Sequence, residues 1–257
     1  DKVLSGEQRG IAHHLVDIVE PTDVYSAARY SRDAARVVRE ITKRGRLPIL
    51  VGGTGQYLVA LLEAWDIPQV PPDPIFRKNL GEVAINSGAE VLHLRLMKID
   101  PVSAKTIDYR NVRRVIRALE IFHQTGTPAS ELRRRGTAPF NACIIGLTLP
   151  RQELYCQIDR RVDTMLANGW VNEVEALLAA EILPTSSAMA SVGYGELAAY
   201  LQGATSLDDA IRITKTATHR FARQQYGWYR LSDPRIRWFQ SRPVSYTHLT
   251  LPTNREV

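Results

Sequence analysis

The sequence predicts an α/β fold interrupted by an all-helical block, and three observations carry that expectation. Residues 47–57 (LPILVGGTGQY) form an apolar run ending in a glycine turn, the pattern of a buried strand that feeds a helix. A β-branched run at 11–19 precedes it, with a helical pattern between the two, so strand, helix and strand describe a right-handed βαβ unit on a parallel sheet. From the proline-rich break at 67–74 (IPQVPPDP) to about Pro139 the periodicity is wholly helical, and strand character returns only at 143–149 (CIIGLTL). The expected division is therefore a core at 1–67, a helical insertion at 68–139 and the rest of the core at 140–240. Residues 241–257 carry no amphipathic pattern and read as a non-native tail.

Composition narrows the class. A chain of 257 residues with 44% hydrophobic content is that of a globular protein with one large domain, or a core and a satellite. No apolar run reaches the ~18 residues of a membrane span. Cys143 and Cys156 have no CxxC spacing, which points to a reducing compartment and away from a zinc site or disulfide framework. The net charge of +6 favours a polyanionic partner.

Taken in order, the run at 11–19 (IAHHLVDIV) is expected to be a strand stopped by Glu20-Pro21-Thr22-Asp23. His13, His14 and Asp17 could be read as metal ligands, but no further ligand follows at a suitable spacing, so a hydrogen-bonded turn is the better expectation. Over 26–43, Ala27, Tyr30, Ala34, Val37, Val38 and Ile41 recur at helical spacing, and Gly45 closes the helix. In the next turn Gly52, Gly53 and Gly55 surround Thr54, where backbone N–H groups could seat an anion; a purely structural turn fits equally well. The turn is not a Walker A loop, because GxxxxGK[ST] occurs nowhere in the chain. A helix is expected over 57–63.

Within the helical block, Asp73-Pro74, Asp100-Pro101 and Thr127-Pro128 each pair a cap with a proline at the first helical position. The helix expected at 109–124 carries Arg110, Arg113, Arg114 and Arg117, and Arg133, Arg134 and Arg135 end the block; a solvated face and a phosphate-contacting one both fit. After the strand at 143–149, the helix from Pro150 sets Leu154, Ile158, Val162 and Met165 on one stripe, with Arg161 on its flank. A guanidinium there needs an internal carboxylate or a bound phosphate. The last long helix starts at Ser206 with Asp209; Ala210, Thr214, Ala217, Phe221 and Trp228 share one face. Arg212, Lys215, His219, Arg223, Tyr226 and Arg230 share the other, a pattern that suits a nucleic-acid backbone. A final strand is expected at 236–239.

In order along the chain, HHLVD, LVGGTGQY, DP with Arg77, RRVIRALE, LPRQELYCQIDRRVDTML, SVGY and THRFARQQYGWYR resemble the motifs of tRNA dimethylallyltransferases, also called tRNA isopentenyltransferases. The resemblance runs from Asp1 to about Phe239. It implies a P-loop NTPase-like parallel sheet with a helical insertion that clamps the anticodon stem-loop of tRNA. It also implies transfer of the dimethylallyl group from dimethylallyl diphosphate to N6 of adenosine 37, with Mg²⁺ as cofactor and the adenine flipped from its stack. By position, Arg161 corresponds to the arginine that holds the diphosphate, with Gly52 and Gly53 beside it, and Thr54 to the residue near the reacting amine. Arg77, Arg113, Arg114, Arg117, Gly193, Tyr194 and Arg223 correspond to tRNA contacts. A nucleotide-binding, cytoplasmic, monomeric enzyme without membrane attachment is implied.

Departures temper this picture. The family's phosphate loop GPTxSGK[ST] and its general-base aspartate precede the region matched by Asp1, so a fragment lacking them and the first strand is expected to be inactive and unstable. Ala190, Gly195 and Gln157 stand where larger polar or basic residues are common in the family. Two other classes remain in view: a small-molecule P-loop kinase, which would not need a basic insertion, and a non-catalytic RNA-binding module.

Overall fold

The computed structural model describes residues 10–132, 134–137, 140–183, 186 and 188–241, with the side chains of Arg134 and Arg135 outside that description. It divides into two compact units, one of residues 25–141 and the other of the residues before and after them.

The first unit opens with α1 (Ala27–Lys43), capped by Ser26, whose hydroxyl accepts from the Arg29 N–H. Helix α2 (Gly55–Leu62) packs on α1 through Tyr57, which stacks on Tyr30 at 4.8 Å and donates its hydroxyl to the Tyr25 carbonyl at 2.7 Å. Strand β1 (Trp65–Asp66) then leads to α3 (Pro74–Ser87), α4 (Ala89–Ile99), α5 (Pro101–Thr106), α6 (Val112–Thr125) and α7 (Ala129–Leu132). Strand β2 (Arg134–Arg135) returns antiparallel to β1, so the helical block leaves and re-enters at one point. Asp73 and Asp100 act as the caps their proline pairs predicted, accepting from the N–H groups of Phe76 and Ser103. Asp100 is buried and also accepts from the N–H and hydroxyl of Ser130, tying α5 to α7. Leu92, Leu96, Val115, Ala118, Ile121 and Ala129 form the centre of this unit's core.

The second unit contains the parallel pair β3 (Ile144–Thr148) and β4 (Ile236–Gln240), together with α8 (Arg151–Ala167), α9 (Trp170–Ala179), α10 (Tyr194–Leu201) and α11 (Leu207–Trp228). Gly146 faces Trp238 across the strands, and a Cβ there would lie 2.6 Å from the indole, so glycine is what lets the ring lie flat. Val162, Trp170, Val174, Met189, Leu197 and Ala210 make the core. Ser206 caps α11 by accepting from the Asp209 N–H.

The α/β class, the helical block and the strands at 143–149 and 236–239 are observed, but three expectations need correction. Residues 11–19 and 47–51 form no strand; the latter has no regular secondary structure, with Ile49 78% and Val51 88% exposed. Apolar and β-branched residues favour extended backbone, whereas a strand also needs a partner in its ladder, and among the described residues neither segment has one. The βαβ unit is therefore not formed. Helix α2 starts at Gly55, not Tyr57, and α6 starts at Val112, not Tyr109, because the Asn111 side chain caps it by accepting from the Arg114 N–H. Finally, Phe221 and Trp228 are exposed, so the apolar face of α11 is buried only at Ala210 and Thr214. The tail from 242 onward and Arg133 lie outside the described residues.

Candidate functional site

In the first unit, Thr54 sits at the N-cap of α2 with its side chain making no cap hydrogen bond, exposed beside exposed Gly52 and half-buried Gly53. An N-cap hydroxyl not spent on its own helix is available to a ligand. None of Gly52, Gly53 and Gly55 has positive φ, so left-handed backbone is not what calls for glycine here. Beyond this turn, Arg113 and Arg114 project from the first turn of α6 and make no ion pair among the described residues. Arg110 differs, because Asp108 chelates its guanidinium through Oδ1 at 2.9 Å and Oδ2 at 2.6 Å.

Arg77 and Arg117 converge on Glu120, whose side chain is fully buried. Arg77 donates Nε to Oε1 at 2.7 Å and Nη2 to Oε2 at 2.8 Å; Arg117 donates Nη1 to Oε2 and Nη2 to the Val70 carbonyl. The Asp73 N–H adds a bond to Oε1 at 2.8 Å. Burial alone would raise the Glu120 carboxyl, but the hydrogen bonds from Arg77, Asp73 and Arg117 outweigh it and hold the group at about 2. Two of the expected tRNA contacts thus have an internal task.

In the second unit, Arg161 lies on the flank of the Val162 stripe and is exposed. Its position beside the stripe is the expected one, and its exposure means that burial is not what calls for a partner there. The basic face of α11 needs correction, since much of it packs on α8. Lys215 Nζ lies 2.6 Å from Asp163 Oδ1, and His219 Nε2 lies 2.8 Å from Asp159 Oδ1. Arg223 donates Nη1 to the Tyr155 hydroxyl at 3.0 Å, and the Tyr155 ring stacks on His219 at 4.0 Å. Residues four apart on each helix face one another, so three rungs join the two helices. Tyr226 meets the Thr148 hydroxyl at 2.8 Å. Arg212, Arg223 and Arg230 stay exposed. Tyr155 is held below the usual phenol range by the Arg151 hydrogen bond and then by Arg223.

Gly193 and Tyr194 are packed inward at the start of α10. At Gly193, φ is +96° and a Cβ would lie 2.1 Å from the Trp170 ring, so only glycine fits. Tyr194 meets that ring edge-on and donates its hydroxyl to Glu173 at 2.8 Å; burial, then this bond, pushes it up to about 12.

Of the residues singled out from the sequence, Gly52, Gly53, Thr54, Arg77, Arg113, Arg114 and Arg117 therefore belong to one unit, and Arg161, Gly193, Tyr194 and Arg223 to the other. Among the described residues no group of three or more His, Cys, Asp or Glu side chains could hold a metal ion. Among the described residues no helix is long and apolar enough to cross a membrane.

A family model described as IPP transferase matches residues 1–232. The chain belongs to that family. A tRNA dimethylallyltransferase of Thermomicrobium roseum is 47% identical over 258 residues, covering 100% of this chain and 78% of the relative. Another from Carboxydothermus hydrogenoformans is 42% identical, covering 97% and 80%. Among solved structures, the tRNA isopentenylpyrophosphate transferase of Bacillus halodurans superposes with a TM-score of 0.64 at 36% identity, covering 93% of this chain and 75% of that one. A eukaryotic dimethylallyltransferase captured acting on tRNA gives 0.71 at 25% identity, covering 93% and 62%. These IPP transferase relatives favour neither a kinase nor a non-catalytic module. What sequence reasoning passed over in this member of the family is Glu120, quoted within RRVIRALE but not singled out. A glutamate followed by Ile121 and preceded by Ala118 and Leu119, on a face that must be buried, was the available signal.

Proposed function

We propose that this protein transfers the dimethylallyl group of dimethylallyl diphosphate to N6 of adenosine 37 in tRNA. The observation that carries the reading is the 47% identity, across the whole chain, to a relative named tRNA dimethylallyltransferase. In the reaction, N6 forms a bond to C1 of the prenyl group, the C1–O bond breaks, diphosphate departs, and the N6 proton passes to a general base. Exposed Arg161 suits the departing diphosphate, which a guanidinium grips through paired hydrogen bonds. The uncommitted hydroxyl of Thr54, with Gly52 and Gly53 beside it, suits the wall near the reacting amine. Arg113 and Arg114 suit the RNA backbone, which they can reach without first breaking an ion pair.

In this reading the β3–β4 pair and the turn before α2 are parts of a P-loop NTPase-like core, and the helices from α3 to α7 take the anticodon stem-loop. The expected Mg²⁺ would take most of its oxygen ligands from the diphosphate and water, as Mg²⁺ at phosphate substrates usually does. The protein acts as a monomer in the cytoplasm, a setting that suits its exposed free cysteines.

The test is to express the complete gene in cells whose tRNA lacks the modification and to digest the tRNA to nucleosides. Dimethylallyladenosine detected by mass spectrometry is the expected result. Unmodified tRNA, with labelled phosphate appearing on a small metabolite instead, would establish the kinase.

A further inference from the structure

The buried carboxylate of Glu120 is bound by two guanidiniums, those of Arg77 and Arg117, and the Asp73 carboxylate also acts on Arg77, so the cluster is balanced in charge. The two arginines are not equivalent. Arg117 spends both terminal nitrogens, one on Glu120 and one on the Val70 carbonyl, so it braces the segment leading to α3. Arg77 spends Nε and Nη2 on the two carboxylate oxygens, which fixes the plane of its guanidinium and leaves Nη1 with no partner among the described residues. Its side chain is 43% exposed.

A two-toothed grip on a buried, fully hydrogen-bonded carboxylate removes the rotamer freedom that a surface arginine would otherwise lose on binding. Glu120 is itself anchored by the Asp73 N–H, the cap of α3, and Gln124 on α6 holds the Pro71 carbonyl at 2.9 Å. The segment at 70–73, α3 and α6 are thereby locked around one anion.

We propose that Glu120 is a positioning residue for RNA capture: it presents Arg77 Nη1 as a preset contact for one backbone phosphate, while Arg117 is a strut that touches no RNA. The inference rests on the tRNA-modifying reading above and adds a division of labour between the two arginines.

The test is the salt dependence of binding to an anticodon stem-loop, measured by fluorescence anisotropy for the wild-type protein and for Arg77→Met, Arg77→Lys and Arg117→Met, with thermal melts run in parallel. Loss of one phosphate contact lowers the slope of log K against log salt by about 0.7–0.9, which is expected for Arg77→Met and not for Arg117→Met. Arg77→Lys keeps the charge but not the two-toothed grip, so its affinity is expected to fall about tenfold. This variant also keeps the test open should Arg77→Met fail to fold. Equal slopes for the two methionine variants, or wild-type affinity in Arg77→Lys, would overturn the proposal. A wild-type protein that binds the stem-loop no better than an unrelated hairpin would instead overturn the functional reading itself.

Discussion

Gly193 and Glu120 show how much of this structure rests on single side chains, or on the lack of one. With φ at +96° and the Trp170 ring 2.1 Å from where a Cβ would stand, Gly193→Ala must either strain the backbone or displace the indole. The expected loss is about 2–4 kcal/mol, read as a shift in the denaturant midpoint at unchanged slope. Glu120→Ala strands two guanidiniums that are only partly able to hydrate, and is expected to cost about 3 kcal/mol. Because its folded-state value is depressed from 4.5 to about 2, the Glu120 contribution is fully present above the ordinary carboxylate value and is lost as the pH falls from there towards 2. Acid titration of Glu120→Gln should therefore show a shallower fall in stability over that window than the wild-type protein. The side chain was visible in the sequence, but its partner Arg77 lies 43 positions away, and no local pattern joins the two.

At the scale of elements, caps and helical periodicity were legible because they are local. Asp73, Asp100 and Ser206 cap as their sequences indicate, and the proline pairs at 73–74 and 100–101 mark true starts, whereas Pro128 lies just before α7 and not at its first position, which corrects the Thr127-Pro128 expectation. What the sequence could not convey was which face of α11 meets another helix. Its basic stripe looks like a nucleic-acid footprint, yet Lys215 and His219 face Asp163 and Asp159 of α8, carboxylates more than fifty residues away. An RNA phosphate would have to compete with them. Lys215→Ala and His219→Ala are accordingly expected to leave the salt slope of RNA binding unchanged. A double-mutant cycle on Lys215 and Asp163 should return about 0.2–1 kcal/mol, the range for partly exposed pairs.

For the whole molecule, two separate cores define the stable parts, one around Leu92, Leu96 and Val115 and the other around Trp170, Val174 and Leu197. Hydrogen exchange should show slow amides in α4, α6 and α9, and fast ones at 47–51, where no ladder bonds protect the backbone. Slow exchange at 47–51 would mean that the segment is paired after all. Sheet pairing was the least legible property of the chain, because an apolar run states that a segment prefers extended backbone and burial but not which segment will supply its partner. Family membership was the most legible, because a set of short motifs in a fixed order carries information that no single turn or helix does. The central claim, that this chemistry is prenyl transfer to tRNA, is tested most directly with the purified full gene product, radiolabelled dimethylallyl diphosphate and an anticodon stem-loop. Label should appear on the stem-loop bearing adenosine 37 and vanish when that base is guanosine; equal labelling of both, or of neither, would contradict the account.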